Sequence, residues 1–186
     1  MDYKRRYVIL CVSKEPYEKI LTKDNIINVT GQSGSGKTTY TRKFLNDDNY
    51  IVIDTDEIGV DKYTNNKNCI EFRNYLKEKY GENIPELSTN FDNIYNEILD
   101  YYKGTNKTIV IDCAEFHSVK DINILKGKII IIRTCIDECY RRCIERYKKE
   151  NPKCSKEEFE KYKKRKLSIY KWYKGSNEFI KKIDKI

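Results

Sequence analysis

The sequence predicts an α/β domain built on a mostly parallel sheet. Three observations predict it. Short, unbroken apolar strands alternate with helix-forming segments, as in a sheet covered on both faces. A glycine-rich run lies between one such strand and the next helix. Two later strands each end on an acid.

Taken in order, Tyr7 to Val12 reads as a short strand and Glu15 to Thr22 as a helix. Together they make residues 1–25 an extension packed on a domain spanning 26–186. Ile26 to Thr30 is an apolar strand leading into the glycines, and Thr38 to Leu45 has helical character. Tyr50 to Asp54 is a second strand, closing on Asp54-Thr55-Asp56. Helices are expected over about residues 67–80 and 90–102, the second with Ser88 or Thr89 as N-cap. Thr108 to Asp112 is a third strand, Asp121 to Leu125 a helical turn, and Lys128 to Arg133 a fourth strand.

A helix over about residues 136–149 follows, with Ile136, Cys139, Tyr140, Cys143, Ile144 and Tyr147 as its apolar stripe. Arg142 and Arg146 stand four apart on another face and project together. After Pro152, Ser155-x-x-Glu158 is a capping box that opens a last long helix to about Tyr173. Glu178 to Ile183 is a short final element, strand or helix.

Composition sets bounds on function. A chain of 186 residues with 39% hydrophobic and 35% charged residues suits one soluble domain with a real core. The longest apolar run, Tyr7 to Val12, is far short of a membrane span. The N-terminal segment lacks a small-residue cleavage site, so no signal peptide is expected. Seven scattered cysteines without a CxxC pair suit free thiols in a reducing cytoplasm. Cys135, Cys139 and Cys143 share a helix face but lack a fourth ligand, and buried apolar packing is the favoured reading. The net charge of +8 is concentrated: residues 141–186 hold 17 Lys and Arg against 7 Asp and Glu. Such a block is either a nucleic-acid or polyphosphate surface or a solvated helix face.

The chemistry centres on Gly31-Gln32-Ser33-Gly34-Ser35-Gly36-Lys37-Thr38. Glycines let the backbone curl so that its N–H groups point at phosphate oxygens. The helix that follows adds its N-terminal dipole. Gly31, Ser33, Gly34, Ser35, Gly36, Lys37, Thr38 and Thr39 are therefore candidates for holding the phosphates of ATP. Lys37 brings a full charge to the β- and γ-phosphates, and the Thr38 hydroxyl is placed to ligate Mg²⁺.

Asp112 ends an apolar strand, where an acid holds Mg²⁺ directly or through water, or else caps a helix. In an extended segment Asp54 and Asp56 point the same way. One of the two is then available to accept a proton from an attacking hydroxyl, unless the pair merely caps a turn. Arg142 and Arg146 are candidates for stabilising charge on a moving phosphoryl group. Arg141, Lys153 and Arg165 are secondary ones. Glu115, Cys113 and His117 follow Asp112, and His117 reads best as a structural loop histidine.

With these features in order, the chain over about residues 26–186 resembles the small P-loop kinases: shikimate, gluconate, nucleoside and nucleoside-monophosphate kinases. The resemblance implies a three-layer P-loop NTPase fold with a five-stranded sheet. Counted from the phosphate-loop strand, its order would be 2-3-1-4-5. It also implies ATP and Mg²⁺ as ligands and a small-molecule or nucleotide acceptor. The acid that acts on the acceptor hydroxyl maps onto Asp56, with Asp54 nearby. Residues 59–105, with Arg73, would form a helical substrate-binding insert, and residues 141–155 a lid carrying Arg142 and Arg146. Arg165-x-x-x-x-Tyr170 is similar to an Arg-to-Tyr segment of shikimate-type kinases. No Gly-rich loop follows the third strand, which argues against shikimate itself.

Two alternatives stay open. A polynucleotide 5′-kinase would explain the basic C-terminal quarter, although Glu57-Ile58-Gly59 stands where such enzymes carry an arginine. A nucleotide-dependent switch would bind ATP without an acceptor. The chain is expected to work in the cytoplasm as a monomer or homodimer.

Overall fold

The structure, a computed structural model, describes residues 15–58, 64–81, 91–166 and 169–186. Five strands form one sheet: β1 (Tyr17–Ile20), β2 (Ile26–Gly31), β3 (Tyr50–Asp54), β4 (Thr108–Asp112) and β5 (Lys128–Ile132). Their order is β1-β5-β2-β4-β3, with the last four parallel and β1 antiparallel to β5. The register sets Asp54 directly beside Asp112, so both acid-tipped strands end at the same height. The helices are α1 (Lys37–Thr41), α2 (Lys67–Tyr80), α3 (Phe91–Tyr101), α4 (Ile136–Glu150), α5 (Lys156–Lys166) and α6 (Ile169–Ile183).

Alternation along the strands divides the core into two unequal parts. Ile51, Ile53, Ile109, Ile111, Ile129 and Ile131 belong to the larger one. It is covered by Phe72 and Leu76 of α2, Phe91, Ile94 and Ile98 of α3, and Trp172, Phe179 and Ile183 of α6. Val29, Val52 and Val110 form the smaller part, packed against Tyr40, Phe44 and Tyr50. The open edge of β3 is covered by the start of α2, where Asn66 donates to the Val52 carbonyl at 2.9 Å. That contact blunts an edge otherwise free to pair with another chain.

Four expectations are corrected. The segment read as a helix, Glu15 to Thr22, carries strand β1, because the open edge of β5 supplies a backbone partner for Tyr17–Ile20. Lys19 also donates to the Ile183 carbonyl at 2.6 Å, tying β1 to the end of α6. The fifth sheet position therefore belongs to a strand that precedes the phosphate loop, not to a fifth strand after it. The helix expected over Thr38 to Leu45 is α-helical only to Thr41 and tightens to a 3₁₀ turn over Arg42–Phe44. Phe44 there packs on Tyr50 with ring centroids 4.6 Å apart and the rings tilted by 40°.

Residues 178–183 are the end of α6 rather than a separate element, and the junction between α5 and α6 at residues 167–168 lies outside the described residues. Gly175 does not stop α6, because a Cβ there would lie 2.7 Å from His117 Cδ2: the glycine serves close packing. The expected strand Tyr7 to Val12 and the N-caps Ser88 and Thr89 lie outside the described residues.

Candidate functional site

β2 ends at Gly31, and α1 starts at Lys37 behind Gly36, whose φ of 98° a side chain would strain. The loop between them opens on a cleft of about 550 Å³. Gln32, Ser33, Gly34, Gly36, Lys37, Thr38 and Thr39 line one wall. Asp56, Ala114, Arg142 and Arg146 line the rest. Gly31 and Ser35 are buried behind the loop instead, and a Cβ at Gly31 would lie 2.5 Å from Ser35 Oγ. Thr134, after β5, fastens the loop from below by donating to the Ser35 carbonyl at 2.6 Å.

Gly34 has φ 84°, and a Cβ there would meet the Cys139 carbonyl oxygen of α4 at 2.5 Å. Gly34→Ala is therefore expected to destabilise the fold by about 1–3 kcal/mol and to weaken nucleotide binding. Thermal unfolding and an ATP titration read the two effects. An alanine variant as stable as the parent would show that α4 does not press on the loop.

Lys37 is 7% exposed and sits among three acids. Its Nζ is 3.0 Å from Asp112 Oδ1 and 3.8 Å from Asp56 Oδ2. Burial works against its ammonium, but Asp112, Asp56 and Asp54 outweigh it and hold the pKa above the ordinary lysine value. Asp112 is fully buried, and its other oxygen accepts from Thr41 Oγ1 at 2.9 Å. Thr55 Oγ1 in turn donates to the Asp112 carbonyl at 3.2 Å.

Contrary to the expectation from the sequence, Asp54 and Asp56 do not point together from one extended segment. Asp54 ends β3 and caps a 3₁₀ turn over Thr55–Glu57, accepting from the Asp56 N–H at 2.9 Å. Asp56 lies inside that turn, with its side chain 76% exposed at the cleft. Arg73, expected in a substrate-binding insert, points into the same turn. It donates to the Ile58 carbonyl at 3.2 Å and also to the Glu57 carbonyl.

Burial, then the neighbouring Asp112, pushes the Asp54 carboxyl up to about 7. An unfolded aspartate titrates near 3.9, so between about pH 4 and pH 7 the folded chain holds a proton that the unfolded chain has lost. Stability is therefore expected to fall as pH rises through that window, by up to about 4 kcal/mol. Asp54→Asn keeps an acceptor for the Asp56 N–H and should flatten the dependence. Denaturant midpoints measured from pH 4 to pH 8 test this, and an unchanged slope in the variant would refute it.

α4 brings its arginines to the loop. Arg142 donates to the Gly34 carbonyl at 3.2 Å and is steadied by Glu138 at 2.7 Å. Arg146 donates to Ser33 Oγ at 3.2 Å. The secondary candidates are not brought there. Arg141 pairs with Glu138 and Glu145. Arg165 lies over the Tyr162 ring, and neither it nor Lys153 lines the cleft. The Tyr170 side chain lies outside the described residues.

His117 does not line the cleft and packs against α6. Its ring meets Trp172 edge-on at 5.8 Å, and its Nδ1 lies 3.2 Å from the Ala114 carbonyl. Burial pushes the Cys113 thiol up to about 12, leaving no thiolate near neutrality. Cys139 and Cys143 are fully buried, and Cys143 Sγ lies 3.3 Å from Ser33 Oγ beneath the loop.

Sequence reasoning missed Gln32, Ala114, Thr41 and Thr134. Gln32 lies within the glycine run, so the run itself was signal enough. Thr41 stands four residues after Lys37, a helical spacing that puts both near Asp112. Ala114 and Thr134 lie in the loops after β4 and β5, at the end of the sheet where ligands are expected, but no motif marks either one individually.

A glycine loop between a parallel strand and a helix, with a later helix returning two arginines to it, is the arrangement of the small P-loop kinases. The chain belongs to the phosphoribulokinase/uridine kinase family, whose model matches residues 26–148, from β2 through most of α4. No curated protein matches the chain. Among the described residues, no helix is long and apolar enough to cross a membrane.

Proposed function

We propose that this protein transfers the γ-phosphoryl group of ATP to a hydroxyl or phosphate oxygen of a small-molecule, nucleoside or nucleotide acceptor. The observation that carries the reading is the convergence of Lys37, Asp56, Arg142 and Arg146 on one cleft at the glycine loop. Loop N–H groups from Ser33 to Thr39 hold the phosphates. Lys37 swings from Asp112 and Asp56 onto the β- and γ-phosphate oxygens. Arg142 and Arg146 exchange their loop contacts for the equatorial oxygens of the moving group. Asp56, exposed at the cleft, accepts the acceptor's proton; Asp54, buried and capping, sets the turn. The acceptor oxygen bonds to the γ-phosphorus as the bond to the β-bridging oxygen breaks, and ADP leaves.

The Thr38 hydroxyl and the Asp112 carboxylate are hard oxygen donors that fit Mg²⁺. Bound there, the ion would supply charge neutralisation for the phosphates. Residues 59–105 shape the acceptor side and residues 141–155 act as the lid.

A screen of ADP release across nucleosides, nucleotides and sugars tests the reading. ADP release that depends on an acceptor is expected. Equal release with and without every acceptor would instead favour a nucleotide-driven switch.

A further inference from the structure

The basic excess of residues 141–186 is only partly neutralised within the fold. Arg141 and Arg142 pair with Glu138, Lys161 with Glu157, and Lys163 with Glu160. Lys148, Lys149, Lys153 and Lys164 are exposed, with no ion pair among the described residues. Arg142, Arg146 and Lys149 fall at i, i+4 and i+7 on α4. They make one stripe that leads out of the cleft for about 10 Å. From residue 149 onward this region lies beyond the family match.

Aromatic rings accompany the charge. Tyr147 and Tyr162 stack with centroids 3.8 Å apart, and Phe159 lies 6.2 Å from Tyr147. Lys148 and Lys163 sit 5.0 and 5.2 Å from the Phe159 centroid. A hollow of about 260 Å³ opens beside the stack, lined by Tyr147, Glu158, Lys161, Tyr162 and Arg165. It is below the size of ordinary small-molecule pockets and suits one flat base. Glu158, the acid at its rim, is already committed, accepting from the Ser155 N–H at 2.7 Å. No large apolar side chain is exposed on α4 or α5, so the face offers nothing to insert into lipid.

We propose that the α4–α5 face binds single-stranded nucleic acid alongside the cleft. Lys148, Lys149 and Lys164 meet phosphates, and the Tyr147–Tyr162 hollow takes one unstacked base. A duplex keeps its bases stacked and has none to offer. The inference rests on charge and ring placement and does not depend on the phosphoryl-transfer reading.

Fluorescence anisotropy with a short labelled oligothymidylate, titrated across salt, tests it. Binding is expected to weaken steeply as salt rises from about 50 to 200 mM. The triple variant Lys148→Glu, Lys149→Glu, Lys164→Glu should bind on the order of 10²-fold more weakly near 0.1 M salt, with a log–log salt slope smaller by about 2. If charge reversal disturbs folding, the corresponding alanine triple is expected to reproduce the loss. The proposal is overturned by absence of oligonucleotide binding or by equal binding in the variants. Tighter binding to phosphatidylserine vesicles or to duplex DNA overturns it too, as does equal competition by tripolyphosphate at matched charge.

Discussion

Lys37→Ala is expected to abolish measurable Mg-ATP binding by calorimetry and to cut phosphoryl transfer by at least about 10²–10³-fold, the scale seen when one preorganised charge-stabilising donor is lost. Among the described residues, Lys37 is the one cation of the cleft wall that is already buried, held at 3.0 Å from Asp112. Its removal has a second consequence. Asp112 is 0% exposed and would lose its ion-pair partner, and breaking a buried pair from one side costs about 3–5 kcal/mol unless the carboxyl takes up a proton. Burial already holds the Asp112 carboxyl above the ordinary aspartate value, and losing Lys37 pushes it further up, so the variant should be least stable at high pH and recover as pH falls and Asp112 is neutralised. Lys37→Ala with Asp112→Asn should regain stability without regaining ATP binding. Unchanged ATP affinity in the single variant would remove the loop as the phosphate site. A double variant no more stable than the single one would remove the ion pair as the reason.

Asp56→Asn should leave ATP binding close to that of the parent while lowering transfer by about 10²–10⁴-fold, the usual contribution of a positioned general base. The contrast with Asp54 is geometric. Both acids stand near Lys37, but Asp54 is 8% exposed and spends an oxygen on the Asp56 N–H, whereas Asp56 faces the cleft. Single-turnover measurements with saturating ATP separate the chemical step from binding. Transfer at the parent rate in Asp56→Asn would exclude Asp56 as the base. Loss confined to Asp54→Asn would move that role to Asp54.

The parallel strands and α2 were legible because their signals are local. Tyr50–Asp54 and Thr108–Asp112 are continuous apolar runs ending on an acid, and α2 spans the residues its pattern marked. β1 was not legible. Its four residues alternate in burial, but the reason they form a strand is the unpaired edge of β5, more than a hundred residues later in the chain. The run into α6 misled for a similar reason, since Gly175 signals a break unless His117 is known to press against it.

The sequence by itself determined that a glycine loop joins a strand to a helix, because glycine spacing, Lys37 and the flanking strand and helix all act over a dozen residues. It also marked Asp112, Arg142 and Arg146, through strand-end position and helical periodicity. Only the tertiary structure decided what those residues meet. Register brings Asp54 beside Asp112, and the 3₁₀ turn buries Asp54 while leaving Asp56 at the cleft. The packing of α4 against Gly34 brings Arg142 to the Gly34 carbonyl and Arg146 to the Ser33 hydroxyl. Each contact joins segments dozens of residues apart, and no local propensity encodes the distance between them.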